Sequence, residues 1–276
     1  MVFSEHMPPR HLALHILASG SRGNAAIIED VHAGSGVLID CGISKKRFLS
    51  ACDEVGFDPL KLQGILITHE HRDHTAGLGV MLRGLAKQGM MLPLYVSGPV
   101  ATASEFVQEV QRQELVEIRD MRAEDRLTIG GMGVSVFRTS HDAAESFGFR
   151  FEAAGDAVGF ATDTGVVTPQ AHELLSDVHI LGLESNHDPA MLKAGPYPAH
   201  TKARIASDAG HLSNEQSAAA LESLLCDRLK EVVALHISQN NNDYRLPVRT
   251  LQNAIDRNAH TARVQAGFQN RPVSIR

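Results

Sequence analysis

Apolar residues recur along this chain in short alternating or continuous runs, broken by glycine, serine and asparagine. HLALHIL at 11–17 and AAIIE at 25–29 read as two strands joined by an SGSRGN turn. GVLID at 36–40 reads as a third strand, ending on Asp40. An amphipathic helix is expected from Ser44, a cap, to about Val55. GILIT at 64–68 is apolar throughout, as a buried strand is, and runs directly into HEHRDH. The pattern then predicts a helix from Thr75 to Gln88, a strand at 93–97 and a helix near 100–109.

Residues 114–162 predict a β-rich region: LVEI, RLTI, VSVFRT, FGFRFE and VGFAT, with turns such as Gly130-Gly131 and Gly155-Asp156. VHILGLE at 178–184 and VVALHIS at 232–238 complete the strands. Between them a helix capped by Ser213, with Glu215 and Gln216 in its first turn, runs to about Leu225. The tail after Asn242 reads as partly helical. Strands come in two batches, each followed by helices, and no linker, repeat or low-complexity segment intervenes. The expectation is a single α/β domain over residues 1–276, two sheets face to face with helices outside.

Composition changes this picture little. A chain of 276 residues that is 43% hydrophobic has material for a large core. Its 26 basic and 32 acidic residues leave a net charge of −6, with no long basic run. That excludes a protein held on DNA by bulk charge, while leaving room for an enzyme that grips phosphates locally. The cysteines Cys41, Cys52 and Cys226 are scattered, which suits a reduced chain, and a cytoplasmic location is expected. The N-terminal stretch has neither a signal-peptide pattern nor an anchor, and no run approaches the roughly 20 apolar residues of a membrane span. No membrane partner is therefore expected; the sequence says nothing of oligomeric state.

Histidine is abundant, with 15 residues, and its distribution is uneven. His15, His32 and His172 stand alone and read as ordinary core or surface residues. HEHRDH at 69–74 is different: three imidazoles and a carboxylate in six residues, directly after an apolar strand, are hard to explain by packing. His69 and His71, two apart, suit one ion, while Asp73 and His74 can turn to a second. His141, Asp163 and His236 each stand next to a predicted strand end and supply further donors. Imidazole and carboxylate suit zinc, manganese or iron, so two divalent ions are expected as cofactors. The residues alone point to a dinuclear metal hydrolase for an anionic substrate.

HxHxDH, with Asp40 before it and His141, Asp163 and His236 after it, resembles the metallo-β-lactamase superfamily over nearly the whole chain. The resemblance implies a four-layer αββα sandwich. It also implies that His69, His71 and His141 hold one metal, that Asp73, His74 and His236 hold the other, and that Asp163 bridges them. Asp40 would be a buried support for the ligand loop. Asp163 stands where antibiotic-hydrolysing members carry cysteine or another ligand, which favours the phosphodiesterase, thioesterase and glyoxalase branches. Five stretches are similar to the bacterial YycJ/WalJ-like group: SGSRGN (Ser19–Asn24), ESNHD (Glu184–Asp188), Tyr197–Ile205, GHLSN (Gly210–Asn214) and HISQNN (His236–Asn241). That group is regarded as metal-dependent hydrolases or as DNA exonucleases acting from 5′ ends. Two residues depart from its pattern: Arg22 where a second small residue is usual, and His200 where an apolar one is common.

The expected activity is therefore a phosphodiesterase acting on nucleic acid, DNA in preference, in the manner of a 5′ exonuclease. The alternative is a small-molecule hydrolase of the same fold, cleaving a thioester, lactone or cyclic phosphodiester. Asp73 is expected to bind metal and orient the attacking water, and His211 to act as general acid or phosphate ligand. Ser213 opens a helix whose N–H groups suit phosphate. Lys193, Lys202 and Arg204, with His200 and Tyr197 among them, form a basic stretch suited to a phosphate backbone, with Tyr197 stacking on a base. Asn240 and Asn241 are candidate polar contacts to substrate.

Overall fold

A computed structural model describes residues 10–276. The chain starts with an antiparallel meander of β1 (Leu12–Ala18), β2 (Ala25–Asp30) and β3 (Ser35–Ile39). Helix α1 (Lys45–Val55) crosses over to β4 (Leu62–Leu66), which lies parallel to β3. Ser44 caps α1 by accepting the Arg47 N–H, and Gly56 ends it at φ 77°. After β4 come the short α2 (Arg72–Thr75), then α3 (Leu78–Ala86) and the parallel β5 (Leu92–Val96). Helices α4 (Gly98–Ala103) and α5 (Glu105–Arg112) lead to the parallel β6 (Val116–Asp120).

The second half repeats this plan. An antiparallel run of β7 (Arg126–Ile129), β8 (Met132–Arg138), β9 (Phe147–Ala153) and β10 (Asp156–Ala161) is followed by α6 (Pro169–Leu175) and the parallel β11 (Ile180–Glu184). Helices α7 (Pro189–Ala194), α8 (Ala199–Ile205) and α9 (Asn214–Leu224) precede β12 (Glu231–Leu235), parallel to β11. Then α10 (Arg245–Arg257) leads to β13 (Arg263–Ala266), and β14 (Val273–Ile275) returns to pair with β1. The two seven-stranded sheets run β14-β1-β2-β3-β4-β5-β6 and β13-β12-β11-β10-β9-β8-β7.

Both sheets carry cover on both faces, which is why β1 and β11 are buried at every position and show no alternation. Leu14, Ile28 and Val37 from the first sheet share one apolar layer with Phe149, Phe151 and Leu235 from the second. A separate apolar layer, including Leu181, Leu221 and Leu251, packs α9 and α10 against the second sheet. The α/β sandwich expected from the two batches of strands is what forms.

Several boundaries differ from the sequence reading. The helix expected from Thr75 to Gln88 starts earlier and is broken into α2 and α3 at Gly77. Gly77 donates to the Cys41 carbonyl at 2.7 Å, and a Cβ there would lie 2.0 Å from the Ile43 carbonyl oxygen. The helix expected near 100–109 is two helices meeting at Ser104, which caps the second by accepting the Val107 N–H. The edge strands β13 and β14 and the short helices α6, α7 and α8 were not expected; each is too short to show a period.

Candidate metal centre

Every element that ends near the centre does so at the carboxyl end of a strand, where open α/β sheets present loops. Asp40 follows β3, His69 lies three residues past β4, His141 three past β8, Asp163 two past β10, Glu184 ends β11 and His236 follows β12. Three of these leave the strand in the left-handed region: Asp40 at φ 59°, Asp163 at φ 50° and His236 at φ 51°. That conformation is uncommon for residues with a Cβ, and its concentration here marks a constrained site.

Asp40 organises the first half. Its Oδ1 accepts the Thr68 N–H at 2.8 Å, and its Oδ2 accepts the Thr68 hydroxyl at 2.8 Å and His74 Nδ1 at 2.7 Å. A buried carboxylate left alone costs several kcal/mol, roughly; these three donors offset that and hold His74 with its proton on Nδ1. The His74 Nε2 then faces Asp163 Oδ2 at 3.4 Å and Asp73 Oδ2 at 3.6 Å. Thr68 Oγ1 also lies 3.0 Å from His69 Nδ1, which turns His69 Nε2 toward His71 Nδ1, 3.0 Å away.

Glu184 plays the matching part in the second half. It is fully buried, with Oε1 at 2.7 Å from His211 Nδ1 and 3.2 Å from His236 Nδ1, and Oε2 accepting the Thr164 N–H at 2.7 Å. His141 donates from Nδ1 to the Gly210 carbonyl at 3.1 Å, freeing its Nε2. The His236 Nε2 is buried without a hydrogen-bond partner, 3.7 Å from Asp73 Oδ2. An orphaned acceptor nitrogen in a buried polar cluster is costly, and a metal ion is the partner that suits it.

Donor atoms within 4.8 Å of one another form overlapping sets: His69, His71 and His141; His69, His74 and Asp163; Asp73, His74 and His236; and Asp163, Glu184, His211 and His236. The residues thus fit divalent ions, and both halves of the expected ligand set converge. Charge is arranged to match. Burial raises the Asp163 pKa, but His236, His74, His69 and His141 outweigh it and hold the carboxyl well below the ordinary range. Burial likewise opposes ionisation of Asp73 and Glu184, yet neighbouring imidazoles keep both low. Burial would lower His74, but Asp40, Asp163 and Asp73 raise it to about 9. Burial holds His69 and His141 below the usual imidazole value. The cluster holds more carboxylate charge than its surroundings neutralise, a state that cations relieve.

Two supports were missed from sequence. In the sequence Glu184 shows only as part of ESNHD, and Asn24 only as part of SGSRGN. Asn24 lies with Nδ2 2.9 Å from His74 Nε2 and 3.3 Å from Asp73 Oδ2, while Gly20 N–H pins its Oδ1 at 2.8 Å. Neither box shows a spacing that announces this; the contacts span about 50 residues of chain.

The expected substrate contacts do not converge in the same way. Asn241 is 1% exposed, its Nδ2 pointing at Ser238 Oγ and its Oδ1 pressed against Gly195, so it is a packing residue of the loop. Ser213 and Gln216 form a reciprocal capping box, and the Asn214 N–H donates to the His187 carbonyl, so three N–H groups at the start of α9 are already engaged. Lys202 Nζ donates to the Lys193 carbonyl at 2.7 Å, and Arg204 pairs with Asp142 at 2.7 Å. Asn240 donates to the Tyr197 hydroxyl at 2.7 Å. Among the described residues, no helix is long and apolar enough to cross a membrane.

The comparisons with known proteins agree with this geometry. The family model for the β-lactamase superfamily domain matches residues 36–237. The chain is 34% identical over 240 residues to the exodeoxyribonuclease WalJ of Streptococcus pneumoniae serotype 2 strain D39, covering 87% of each chain. It is 33% identical over 236 residues to the exodeoxyribonuclease YycJ of Bacillus anthracis, covering 84% of this chain and 85% of that one. In fold it resembles the metallo-β-lactamase fold protein YhfI of Bacillus subtilis, with a TM-score of 0.69 at 14% identity over 95% of this chain and 99% of that one. Fold, family model and full-length similarity coincide: the chain belongs to the metallo-β-lactamase superfamily and, within it, to the family of WalJ and YycJ.

Proposed function

We propose that the protein is a dinuclear metal-dependent nuclease that removes nucleotides from DNA, starting at 5′ ends. The observation that carries this reading is the pairing of two carboxylate-oriented histidine sets around the buried Asp163. His69, His71 and His141 would hold one ion, Asp73, His74 and His236 the other, and Asp163 would lie between them. The donor set suits zinc, manganese or iron. Such ions supply Lewis-acid charge for phosphoryl oxygens and make water a better nucleophile at neutral pH.

The chain's own residues supply the rest. Asp73, whose side chain is 26% exposed, accepts a hydrogen bond from the attacking water and sets its direction. His211, 14% exposed in its side chain, has Nδ1 held by Glu184, which leaves Nε2 to protonate the leaving oxygen. The relatives WalJ and YycJ are named exodeoxyribonucleases, which favours DNA over a thioester or lactone. The cysteines Cys41, Cys52 and Cys226 are free, which suits a reducing cytoplasm.

The test is to incubate metal-loaded protein with 5′-labelled single-stranded DNA, double-stranded DNA and RNA, with manganese and zinc in separate reactions and Asp73→Ala as control. Stepwise release of labelled nucleotide from DNA by the wild type alone is expected. Absence of nucleic-acid cleavage, with turnover of a thioester or lactone instead, would replace this reading by the small-molecule one.

A further inference from the structure

The basic stretch at 193–204 uses Lys202 and Arg204 locally, yet the protein carries free cations elsewhere. Arg22, Lys46, Arg47, Arg245, Arg249 and Arg271 lie on segments that meet beside the centre: the turn at 19–24, the start of α1, the start of α10 and the stretch 265–272. Gln269 ties these segments together. Its Oε1 accepts the Arg22 N–H at 2.9 Å, its Nε2 donates to the Gly23 carbonyl at 2.9 Å, and its N–H donates to the Tyr244 hydroxyl at 3.1 Å.

Among the described residues, none of these six cations has a carboxylate within 4.0 Å, whereas Arg83, Arg138, Arg228 and Arg257 each do. Two hollows open between them. One of about 370 Å³ is lined by Ser44, Lys46, Arg47, Glu54 and Asn270, with Ser50 donating to Glu54 at 3.3 Å. The other, of about 590 Å³, is lined by Tyr244, Arg245, Val248, Arg249 and Phe268. Phe268 lies between the Tyr244 ring, 4.8 Å away, and the Arg271 guanidinium, 3.8 Å from its centroid. Arg47 Nη2 is buried with no acceptor, a costly state that an anionic oxygen would relieve.

In a protein of net charge −6, a face of unpaired cations interleaved with aromatic rings is built for a polyanion with flat bases. The face reaches the centre through the turn at 19–24, where Ser19 Oγ accepts the His236 N–H at 2.7 Å and Asn24 approaches His74 at 2.9 Å. Arg22, the residue that departs from the small-residue pattern of this turn, puts a cation at its tip.

We propose that this face binds the single-stranded chain leading away from the scissile phosphate, with phosphates on the arginines and a base in the hollow lined by Tyr244, Val248 and Phe268. The nuclease reading is needed for what happens at the centre, while binding to the face is measurable without it.

The experiment compares Arg245→Ala/Arg249→Ala and Lys46→Ala/Arg47→Ala with a Lys193→Ala/Lys202→Ala control. Binding to a single-stranded oligonucleotide of about 20 nucleotides is measured in an Asp73→Ala background with manganese, across a salt series. Each face variant is expected to bind about tenfold more weakly, with a salt slope shallower by about 0.7 per cation removed, and the control to stay within about twofold. With Asp73 intact, each face variant is expected to raise KM for the oligonucleotide about tenfold, in step with its weaker binding. Arg245 and Arg249 are exposed, so their loss leaves the fold alone. Wild-type binding and salt slope in both face variants, or a larger loss from the control, would overturn the proposal. If the oligonucleotide binds as expected but the intact protein cuts no DNA, the nuclease reading fails and the face stands.

Discussion

The histidine-rich cluster at 69–74 and the basic stretch at 193–204 look alike as sequence: polar residues at close spacing next to a predicted element. In the fold they differ. Around the cluster, ring nitrogens are turned inward by Asp40 and Glu184, carboxylates that are 2% and 0% exposed and far away in sequence. In the stretch, Lys202 and Arg204 lie on a short surface helix and bond exposed acceptors, the Lys193 carbonyl and the Asp142 carboxylate. A polar group inside must be answered by a specific neighbour, whereas one at the surface takes whatever acceptor its long side chain can reach. Buried polar groups therefore constrain their neighbours more tightly than exposed ones do.

The hardest test of this contrast is Asp163→Ala. It removes the carboxylate that stands among four histidines, and activity is expected to fall about 10³-fold, the rate equivalent of about 4 kcal/mol. Elemental analysis of the purified variant should show reduced metal content; full occupancy with full activity would remove Asp163 from the centre. Glu184→Gln is expected to cost about 10²-fold in kcat with a smaller change in KM, because it loosens His211 and His236 together. A kcat equal to wild type would leave Glu184 as packing only. Asp40→Asn touches no metal and is expected to weaken metal affinity about 10–100-fold in a chelator competition.

The pH dependence sharpens the same point. In metal-free protein His74 is raised from 6.5 to about 9, so its proton adds stability fully below pH 6.5, and the gain is lost as pH rises through about 9. The thermal midpoint of chelator-treated protein is expected to fall across that window, and that of metal-loaded protein to hold level. The smallest effect belongs to the other region: Lys202→Ala/Arg204→Ala should alter stability by less than about 1 kcal/mol in a urea titration.

What the sequence made legible follows from the same physics. His69, His71, Asp73 and His74 are contiguous, so their chemistry is visible as a string, and the long buried runs such as GILIT show their burial directly. Glu184 and Asn24 were not visible as partners, because each meets its histidines across long stretches of chain. The sequence shows Ser213 as a cap, but the further engagement of the Asn214 N–H depends on His187, which only the fold brings there. The strands β13 and β14 are only four and three residues long, too brief for alternation to register.

The pairing of β14 with β1, Leu14 opposite Ile275, bears on how the molecule is made. The outer edge of β1 is covered only once β14, far later in the chain, has been made. His236, too, is synthesised long after His69. His236 joins Asp73 and His74 only when the second sheet lies against the first, so this donor set closes only in the folded molecule.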